Sequence, residues 1–365
     1  MSKVLFINHT NDFFGAERIL FKVIEASGLP ASDIVVVEPS YHKEGAFGAA
    51  VKDAGYNVLR LSYKNLGGSL IRSIIVLLYN IPAVLRLCRL VKKEKITCIW
   101  SNTSLCCLGI VTALISGVRH VWHIHEPAEK EHNYVPALKV LYKVLFSYKK
   151  NTTVFVTHAQ QTKWESLYLE LRGKSKLIYN PYDIYVRKRV ADNICRFGYL
   201  GSWSKRKNIP MLIEVFKQVH AQFPSTELLL AQNIGEDTER INKLISQLSE
   251  PQSVLVEPVS DGQQFYNRID VLVLPSYSET WGLVVVEAMQ QGIATIVTRQ
   301  TALQEIAEDN IHTLFINPYD SDSLLAAMIK MCSSEFRNRI GKNAQNKMNE
   351  TDFNGRFVKQ IQELI

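Results

Sequence analysis

The sequence contains few cysteines, and they form no recognisable ligand or disulfide pattern. None of the six belongs to a Cys-x-x-Cys pair, and most lie among apolar neighbours, as small core residues do. We therefore expect neither a structural zinc site nor a disulfide framework. Free thiols suit a reducing compartment, which favours a cytoplasmic protein.

The chain also lacks an uninterrupted apolar run long enough to span a bilayer. The longest apolar stretch, Ile74 to Leu85, is interrupted by Asn80 and Pro82, and it falls short of the roughly 20 residues that a spanning helix needs. Met1 to Asn11 holds one lysine and a short apolar run that ends in polar residues. This pattern indicates a first strand rather than a signal peptide.

The composition favours a globular chain of two domains. At 365 residues the chain is too long for one typical domain, and its hydrophobic content of 47% is ample for two cores. The formal net charge is +7. A mildly basic chain suits nucleic acid, an acidic membrane surface or phosphorylated substrates, and the charge alone does not choose among them.

In the first half, short apolar runs alternate with helical patterns. The runs predict strands, and their alternation with helices indicates a doubly wound parallel sheet. The predicted helices include Ala16–Ala26 and Ile71–Glu94. The predicted strands are Lys3–Asn8, Asp33–Val37, Asn57–Leu61, Ile96–Ser101, His120–Ile124, Thr153–Thr157 and Lys176–Tyr179.

The second half repeats this alternation. We therefore expect an α/β protein with two Rossmann-like domains, residues 1–183 and 184–348, that face each other across a central cleft. Residues 349–365 predict a C-terminal helix, and the sequence leaves open whether this helix returns to the first domain. The predicted strands of the second half are Ile194–Leu200, Glu227–Ala231, Val254–Glu257, Val271–Leu274, Ile293–Val297 and Thr313–Ile316.

The stretch Val271–Thr298 carries the strongest functional signal. The strand Val271–Leu274 is followed by a polar loop, a helix that begins near Gly282, and the strand Ile293–Val297. Ligands of parallel sheets bind beyond the carboxyl ends of the strands, where this loop lies. Because Gly282 has no Cβ and free helix amides follow it, the stretch predicts a site for an anion such as a phosphate.

Two glutamates flank the expected anion site. Glu279 lies in the loop, and Glu287 lies within the otherwise apolar helix. A buried carboxylate without partners is costly, so Glu287 needs hydrogen-bond donors, which the hydroxyls of a sugar would supply. The alternative is structural, with Glu279 in a capping role and Glu287 in an ion pair.

The segment PSYSETWGLVVVEAMQQGIATIV resembles the signature of glycosyltransferase family 4. Its two glutamates are separated by seven residues, with Gly-Leu between them and Ala-Met after the second. The chain departs from the pattern at Ala294, where the family commonly has proline. The resemblance implies the GT-B fold, a nucleotide-diphosphate-sugar donor, transfer with retention of the anomeric configuration, and no required metal or other cofactor.

Two segments of the first half fit the same resemblance. Gly15 opens a helix where the family commonly has Gly-Gly-Ala-Glu, and Phe14 replaces the first of those glycines. His125 ends the fifth predicted strand, and the resemblance implies that it touches the donor sugar beside Glu126. A metal site made of His123, His125 and Glu126 is an alternative, but it lacks a distant further ligand.

The loop after the first strand of the second half holds cations that the resemblance assigns to the diphosphate. Lys207 fits the family's lysine, whereas Ser202 stands where its arginine usually is. Either Arg206 supplies the second cation, or the leaving group is stabilised less strongly. A point charge and a guanidinium both stabilise the negative charge of a leaving diphosphate. An ordinary solvated loop is the alternative interpretation of such a run.

These positions together form the expected site. Catalytic roles are implied for Lys207, Glu279 and His125. In this hypothesis Glu287 accepts hydrogen bonds from ribose hydroxyls, and Glu279 holds hydroxyls of the donor sugar. Substrate binding is implied for a wider set, namely Gly15, Glu126, Ser202, Arg206, Thr280, Trp281, Gly282, Leu283 and Glu287.

Two stretches of the first half, Ile71–Lys95 and Lys139–Lys150, combine apolar side chains with lysine or arginine. Both are compatible with ordinary core-facing helices that have charged outer faces. They also suit a peripheral face for an anionic membrane, because basic amphipathic helices bind anionic lipid. Nucleic acid is disfavoured, since no binding motif accompanies the charge.

The resemblance predicts a metal-independent glycosyltransferase of the hexosyltransferase type. Its acceptor would be a hydroxyl of a glycan or of a lipid-linked sugar in bacterial surface polysaccharide biosynthesis, such as O-antigen, lipopolysaccharide or capsule. We expect a cytoplasmic enzyme, with the inner face of the plasma membrane as a candidate location. The alternatives are a sugar-nucleotide epimerase, an inverting transferase of the same architecture, and a non-catalytic scaffold that binds a sugar nucleotide.

Overall fold

The chain divides into two compact units, and each contains one parallel sheet. The first unit comprises Met1–Pro181 together with Phe353–Ile365, and the second comprises Tyr182–Asp352. The expected divisions lay at residues 183/184 and 348/349. The computed structural model describes residues 2–40, 45–128, 138–188, 192–233, 235–259, 261–277, 279–299 and 301–365.

The first unit is built on a seven-stranded parallel sheet. Its strand order is β3-β2-β1-β4-β5-β6-β7, in which the strand sequence reverses beside β1, as in doubly wound folds. The strands are β1 (Val4–Ile7), β2 (Ile34–Pro39), β3 (Asn57–Leu61), β4 (Cys98–Asn102), β5 (Arg119–Ile124), β6 (Asn151–Phe155) and β7 (Ser175–Leu177). The helices are α1 (Gly15–Ala26), α2 (Ala46–Asp53), α3 (Leu70–Tyr79), α4 (Ile81–Lys93), α5 (Leu108–Ser116), α6 (Lys139–Phe146) and α7 (His158–Leu167).

The second unit contains a six-stranded parallel sheet with the same reversal. Its order is β10-β9-β8-β11-β12-β13. The strands are β8 (Cys195–Tyr199), β9 (Thr226–Gln232), β10 (Val254–Pro258), β11 (Val271–Leu274), β12 (Ala294–Thr298) and β13 (Leu314–Ile316). The helices are α8 (Ile209–Gln222), α9 (Thr238–Ser246), α10 (Gly262–Arg268), α11 (Leu283–Gln290), α12 (Ser321–Cys332) and α13 (Ser334–Glu350). Two Rossmann-like sheets of parallel strands confirm the predicted fold class.

The C-terminal helix α14 (Phe353–Leu364) belongs to the first unit. Its buried residues are Phe353, Phe357 and Ile361. Phe353 contacts the ring of Tyr179 edge-on at a centroid distance of 5.8 Å. The apolar stripe at spacings of four residues therefore fixes this helix against the first unit.

The predicted helix Ile71–Glu94 is wrong as a single element, because the structure has two helices there. α3 and α4 meet at Asn80 with an angle of 44° between them. The side chain of Asn80 accepts from the amide of Lys64 at 2.9 Å and donates to its carbonyl at 2.8 Å. Pro82 stands in the first turn of α4, where its missing N–H is tolerated.

No single helix in the described ranges is long and apolar enough to cross a membrane. The bent pair α3 and α4 meets the requirement for length and composition only when the two helices are taken together.

Candidate functional site

The loop after β11 leads into α11 through a left-handed residue. Gly282 is the N-cap of α11 with φ 70° and ψ 58°, a conformation that favours glycine. Its carbonyl accepts the amides of Val285 at 2.8 Å and Val286 at 3.3 Å. The two amides before them, of Leu283 and Val284, donate to no acceptor within the described residues. This helix start is the predicted one, and it presents two free N–H groups to an anion.

Glu279 lies beside the N-terminus of α11, close to two cationic side chains. Nζ of Lys207 donates a hydrogen bond to Oε2 of Glu279, and Nη1 of Arg206 lies 3.6 Å from the same oxygen. Oγ of Ser276 lies 3.4 Å from it. The side chains of Lys207 and Glu279 are only 12% and 14% exposed. The structure thus brings together Lys207 and Glu279, which lie 72 positions apart in the sequence.

Burial lowers the pKa of Lys207 below its ordinary value, while the charge of Glu279 opposes that shift. The amide of Tyr277 donates to the carbonyl of Arg206 at 2.9 Å, and its hydroxyl donates to Oδ1 of Asn208 at 3.1 Å. These bonds join the loop after β11 to the loop after β8. They explain why the cations of one loop meet the carboxylate of the other.

Ser202 and Arg206 differ in where they lie relative to Glu279. Oγ of Ser202 lies 3.4 Å from Oγ of Ser204, and the carbonyl of Ser202 accepts the Tyr199 hydroxyl at 2.8 Å. Arg206 is the residue that brings a guanidinium to Glu279. Arg206 is thus the second cation near Glu279, and its role toward a diphosphate stays a prediction.

Glu287 is buried in α11, with 1% of its surface exposed. Its Oε2 accepts the hydroxyl of Tyr266 at 2.7 Å. The hydroxyl of Tyr266 also lies 3.2 Å from the carbonyl of Val284. Glu287 therefore has a donor inside the protein, as the structural interpretation required, although that donor is a tyrosine rather than a cation.

The other substrate-binding candidates of this loop lie next to α11. The carbonyl of Thr280 accepts the amide of Ala302 at 3.2 Å, and Trp281 is 3% exposed. A parallel bridge pairs Glu279 with Thr301. The loop is thus held from the β12 side by residues 301 and 302.

In the first unit, polar side chains meet at the carboxyl ends of β1, β4 and β5. Nε2 of His125 lies 2.8 Å from Oδ1 of Asn102, whose Nδ2 donates to Oδ1 of Asn8 at 3.0 Å. Oε2 of Glu126 accepts the amides of Ser104 and His125, each at 3.1 Å. The predicted pair His125 and Glu126 therefore lies in a connected hydrogen-bond network.

Burial controls the charge of this network. It raises the pKa of Glu126 and holds the pKa of His125 well below its ordinary value. It also lowers the pKa of His123 to about 3. The rings of His123 and His125 lie on one side of β5 with centroids 4.2 Å apart, as strand alternation predicted. Both histidines are neutral at pH 7.

Glu17 and His9 form a second buried pair beside this network. Nδ1 of His9 lies 3.1 Å from Oε1 of Glu17, and Oε2 of Glu17 accepts the amide of Phe14 at 3.0 Å. Burial raises the pKa of Glu17 to about 7 and lowers that of His9 to about 4. Gly15 is the first residue of α1, and the side chain of Phe14 is 59% exposed.

Thr103 is a strained residue at this edge of the sheet. Its φ of 69° is unusual for a β-branched residue, which the left-handed region disfavours. Its amide donates to the carbonyl of His123 at 2.8 Å, and its carbonyl accepts Nε1 of Trp122 at 2.7 Å. Two bonds to β5 therefore hold the strained backbone next to His125.

Sequence reasoning missed several members of both groups. In the first unit it passed over Asn8, His9 and Asn102, and in the second it passed over Tyr199 and Tyr266. The signal for Asn8 and Asn102 was present, because each follows an apolar run that ends at the carboxyl edge of a parallel sheet. No pattern in the sequence pairs Tyr266 with Glu287.

No group of three or more His, Cys, Asp or Glu residues with metal-binding geometry occurs in the part of the chain that the structure describes. The sequence has one Asp-x-Asp spacing, at Asp320 and Asp322. Oδ1 of Asp320 accepts the amides of Asp322 and Ser323, each at 3.0 Å. This spacing is therefore a helix cap at the start of α12.

Solved structures with the same architecture are glycosyltransferases and related synthases. The structure of Anabaena HepE in complex with UDP and glucose has a TM-score of 0.80 at 20% identity and covers 100% of this chain and 98% of that chain. Sucrose-phosphate synthase from Thermosynechococcus elongatus has a TM-score of 0.77 at 17% identity and covers 99% and 98%. Together with the two parallel sheets, these likenesses define a protein of the GT-B fold.

Residues 189–347 match the family described as glycosyl transferases group 1. The match lies within the second unit. The match confirms the resemblance to glycosyltransferases, while the narrower assignment to family 4 stays a prediction.

Curated relatives match over part of their length. The capsular polysaccharide biosynthesis glycosyltransferase CapM of Staphylococcus aureus is 26% identical over 187 residues, which are 51% of this chain and 49% of the relative. The lipopolysaccharide 1,2-N-acetylglucosaminetransferase of Salmonella typhimurium is 25% identical over 178 residues, 46% and 47% of the two chains. The chain thus spans about half the length of the curated relatives it matches.

Proposed function

We propose that the protein is a retaining glycosyltransferase. It moves a sugar from a nucleotide-diphosphate sugar to a hydroxyl of a glycan or a lipid-linked acceptor. One observation carries this proposal: Lys207, Arg206 and Glu279 meet at the start of α11, beside two free amides, within the part of the chain that matches group 1 glycosyl transferases.

The proposed chemistry rests on stabilising a leaving diphosphate. Breaking the anomeric bond leaves negative charge on phosphate and an oxocarbenium-like sugar. The amides of Leu283 and Val284 and the side chains of Lys207 and Arg206 are the donors for that charge. In this proposal they surround the leaving diphosphate, and donors held in place in this way need little reorganisation during the reaction.

Glu279 and Lys207 are assigned to different parts of the donor substrate. Oε2 of Glu279 accepts a hydrogen bond from Lys207. With donor, we assign Glu279 to the hydroxyls of the sugar and Lys207 to the diphosphate, so their ion pair is exchanged for two contacts with substrate. The loop that contains Glu279 continues through Thr280, Trp281 and Gly282, which are assigned to binding of the donor substrate.

Glu287 is assigned to the ribose of the nucleotide. The Tyr266 hydroxyl fixes one carboxylate oxygen at 2.7 Å, which orients the group. In the first unit, His125, Glu126 and Gly15 are assigned to sugar and acceptor binding. The neutral ring of His125 is suited to donate or accept a hydrogen bond without adding charge.

The proposed biological role is based on the names of two relatives. Two of them are named for capsular polysaccharide and lipopolysaccharide synthesis. We therefore propose a cytoplasmic enzyme of bacterial surface polysaccharide synthesis that needs no metal. Six free cysteines suit that compartment. Because structural neighbours are complexes with UDP and UDP-glucose, uridine-diphosphate sugars are the first donors to test.

The test combines donor binding with product analysis. Thermal shifts are measured with UDP, GDP, ADP and dTDP sugars, and the stabilising donor is then used in transfer assays with mono- and oligosaccharide acceptors. We expect stabilisation by one nucleotide class and a product that keeps the anomeric configuration of the donor.

Three results would instead support the alternatives. Conversion of the donor sugar without any acceptor indicates an epimerase. An inverted product indicates an inverting transferase. Nucleotide-sugar binding without turnover across the acceptor panel indicates a scaffold.

A further inference from the structure

Helix α3 exposes aliphatic side chains and buries the polar side chain of Ser73. Ile71, Ile74, Ile75 and Leu78, which follow the spacing of one helix face, are 73%, 48%, 60% and 63% exposed. We call these four residues the α3 face. A soluble helix of this kind ordinarily turns such a face to the core, so the orientation of α3 is inverted.

The buried side of α3 is held by specific bonds, which fixes the inverted orientation. Ser73 is fully buried, and its Oγ accepts the amide of Gly67 at 3.4 Å. Asn80, at the end of the helix, is 3% exposed and makes two bonds to the backbone of Lys64. Val76 joins the core. Turning the α3 face inward would break these bonds, so the exposed face is a property of the fold.

The chain segment that contains the α3 face carries charge of one sign. Residues 54–93 contain no aspartate or glutamate, although they contain seven lysines and arginines. Nζ of Lys64 lies 4.6 Å from the ring centroid of Tyr79, at the end of α3. The following helix, α4, carries exposed cations at Arg86, Arg89, Lys92 and Lys93. An apolar face with a cationic border is the pattern of a helix that lies in the interface of an anionic bilayer.

Helix α6 has the same combination. Val140 and Val144 are 75% and 56% exposed, and Lys139 and Lys143 are exposed beside them. The inward sides of α3 and α6 contribute Val76 and Tyr142 to one buried cluster. The exposed apolar residues of the two helices therefore border the same part of the first unit.

We propose that the α3 face inserts into the headgroup and acyl boundary of a membrane that contains anionic phospholipid, with the cations of α4 on the phosphates. A second copy of this chain is a poorer occupant, because a symmetric contact would bring two cationic borders together. This proposal is independent of glycosyl transfer. It differs from purely electrostatic attraction, since it requires apolar side chains to enter the bilayer.

The test is vesicle co-sedimentation of the full chain without donor substrate. Vesicles of phosphatidylcholine alone are compared with vesicles that also contain phosphatidylglycerol, at low and high salt. The key variant is the triple Ile71→Ser, Ile75→Ser, Leu78→Ser. Its matched control changes three exposed aliphatic residues of the second unit, Ile184→Ser, Val186→Ser and Ile311→Ser, which are 69%, 69% and 43% exposed.

We expect binding to the anionic vesicles, and a loss of about tenfold or more for each aliphatic side chain removed from the α3 face. The control variant should bind as the wild type does. Replacing Arg86, Arg89, Lys92 and Lys93 by glutamine should weaken binding by about fivefold for each cation. Thermal melts of all variants check that the fold is kept, since every changed side chain is exposed.

Two results would overturn the proposal. One is equal vesicle binding by the wild type and the α3 triple variant. The other is a wild-type protein that does not bind vesicles but forms dimers, while the triple variant stays monomeric. That result would assign the α3 face to contact with a second copy. Transfer to a soluble acceptor should be the same in all these variants, because none of the changed residues is assigned to the donor or acceptor site. Absence of transfer by the wild type would count against the proposed function and not against the role of the α3 face.

Discussion

Lys207 and Glu279 form an ion pair between two loops of the second unit. Lys207 follows β8, Glu279 follows β11, and β8 and β11 are neighbours in the parallel sheet. Both loops therefore leave the sheet at the same edge, which is where parallel sheets bind ligands. The pair joins the two charges that the proposed reaction needs at the start of α11.

Replacing Lys207 by glutamine should reduce the rate of transfer strongly. Removing one preorganised donor to developing negative charge costs about 10²–10³ in kcat. Initial rates at saturating donor measure the effect. Lys205→Gln is the matched control, because Lys205 belongs to the same short helix and is exposed. Equal activity of the two variants would remove Lys207 from the catalytic group.

Gly282→Ala should weaken both stability and nucleotide binding. A non-glycine residue at φ 70° costs about 1–2 kcal/mol, and the change alters the start of α11. Gly117, which ends α5, also has φ 70° and nothing within 4 Å of an added Cβ. Gly117→Ala should lower the melting temperature similarly, but should leave the thermal shift by nucleotide sugar unchanged. Loss of that shift in both variants would contradict a local role for Gly282.

Tyr266→Phe removes the donor to the buried carboxylate of Glu287. A buried acceptor that loses its donor costs about 1–3 kcal/mol, so the free energy of unfolding should fall by that amount. Urea titration measures it. Tyr319→Phe is the control, because Tyr319 is 76% exposed. If Tyr266→Phe changes neither stability nor nucleotide affinity, the orientation of Glu287 does not depend on this bond.

The buried histidines should make stability fall in acid. The pKa of His123 is about 3 in the folded protein and near its ordinary value of 6.5 in the unfolded chain. Between these values the unfolded chain binds more protons, so the free energy of unfolding rises with pH. His123→Phe should reduce that slope by up to about 1.4 kcal/mol per pH unit.

Both ring nitrogens of His123 lack a hydrogen-bond partner among the described residues, so a phenyl ring leaves no broken bond there. Urea titrations between about pH 4 and 6.5 compare the variant with His158→Gln, a change at an exposed position. A slope that stays the same in His123→Phe would show that His123 is accessible to protons in the folded state.

The sequence predicted the sheets well because buried parallel strands are short apolar runs with clear ends. Val271–Leu274 was predicted with its observed bounds, and the helix start at Gly282 followed from the need for a left-handed glycine. The break at Asn80 was not predicted as a helix end. It depends on bonds to Lys64, which is distant along the chain and leaves no periodic signal.

The hydrogen-bond partners of the site residues were harder to predict than the positions of those residues in the fold. His125 and Glu287 were expected to need partners, but Asn102 and Tyr266 come from other elements. Such pairs depend on how strands are ordered in the sheet and on rotamers, neither of which a single sequence encodes locally. The same limit applies to Arg206, whose contact with Glu279 required two loops to be placed together.

The place of α14 in the chain bears on the order of folding during synthesis. The first unit needs Phe353, Phe357 and Ile361, yet the ribosome makes them only after the whole of Tyr182–Asp352. Tyr182–Asp352 is continuous and can fold as soon as it emerges. The unit that is made first therefore lacks its last helix, and the part of α1 that α14 contacts stays uncovered, until translation has passed residue 361.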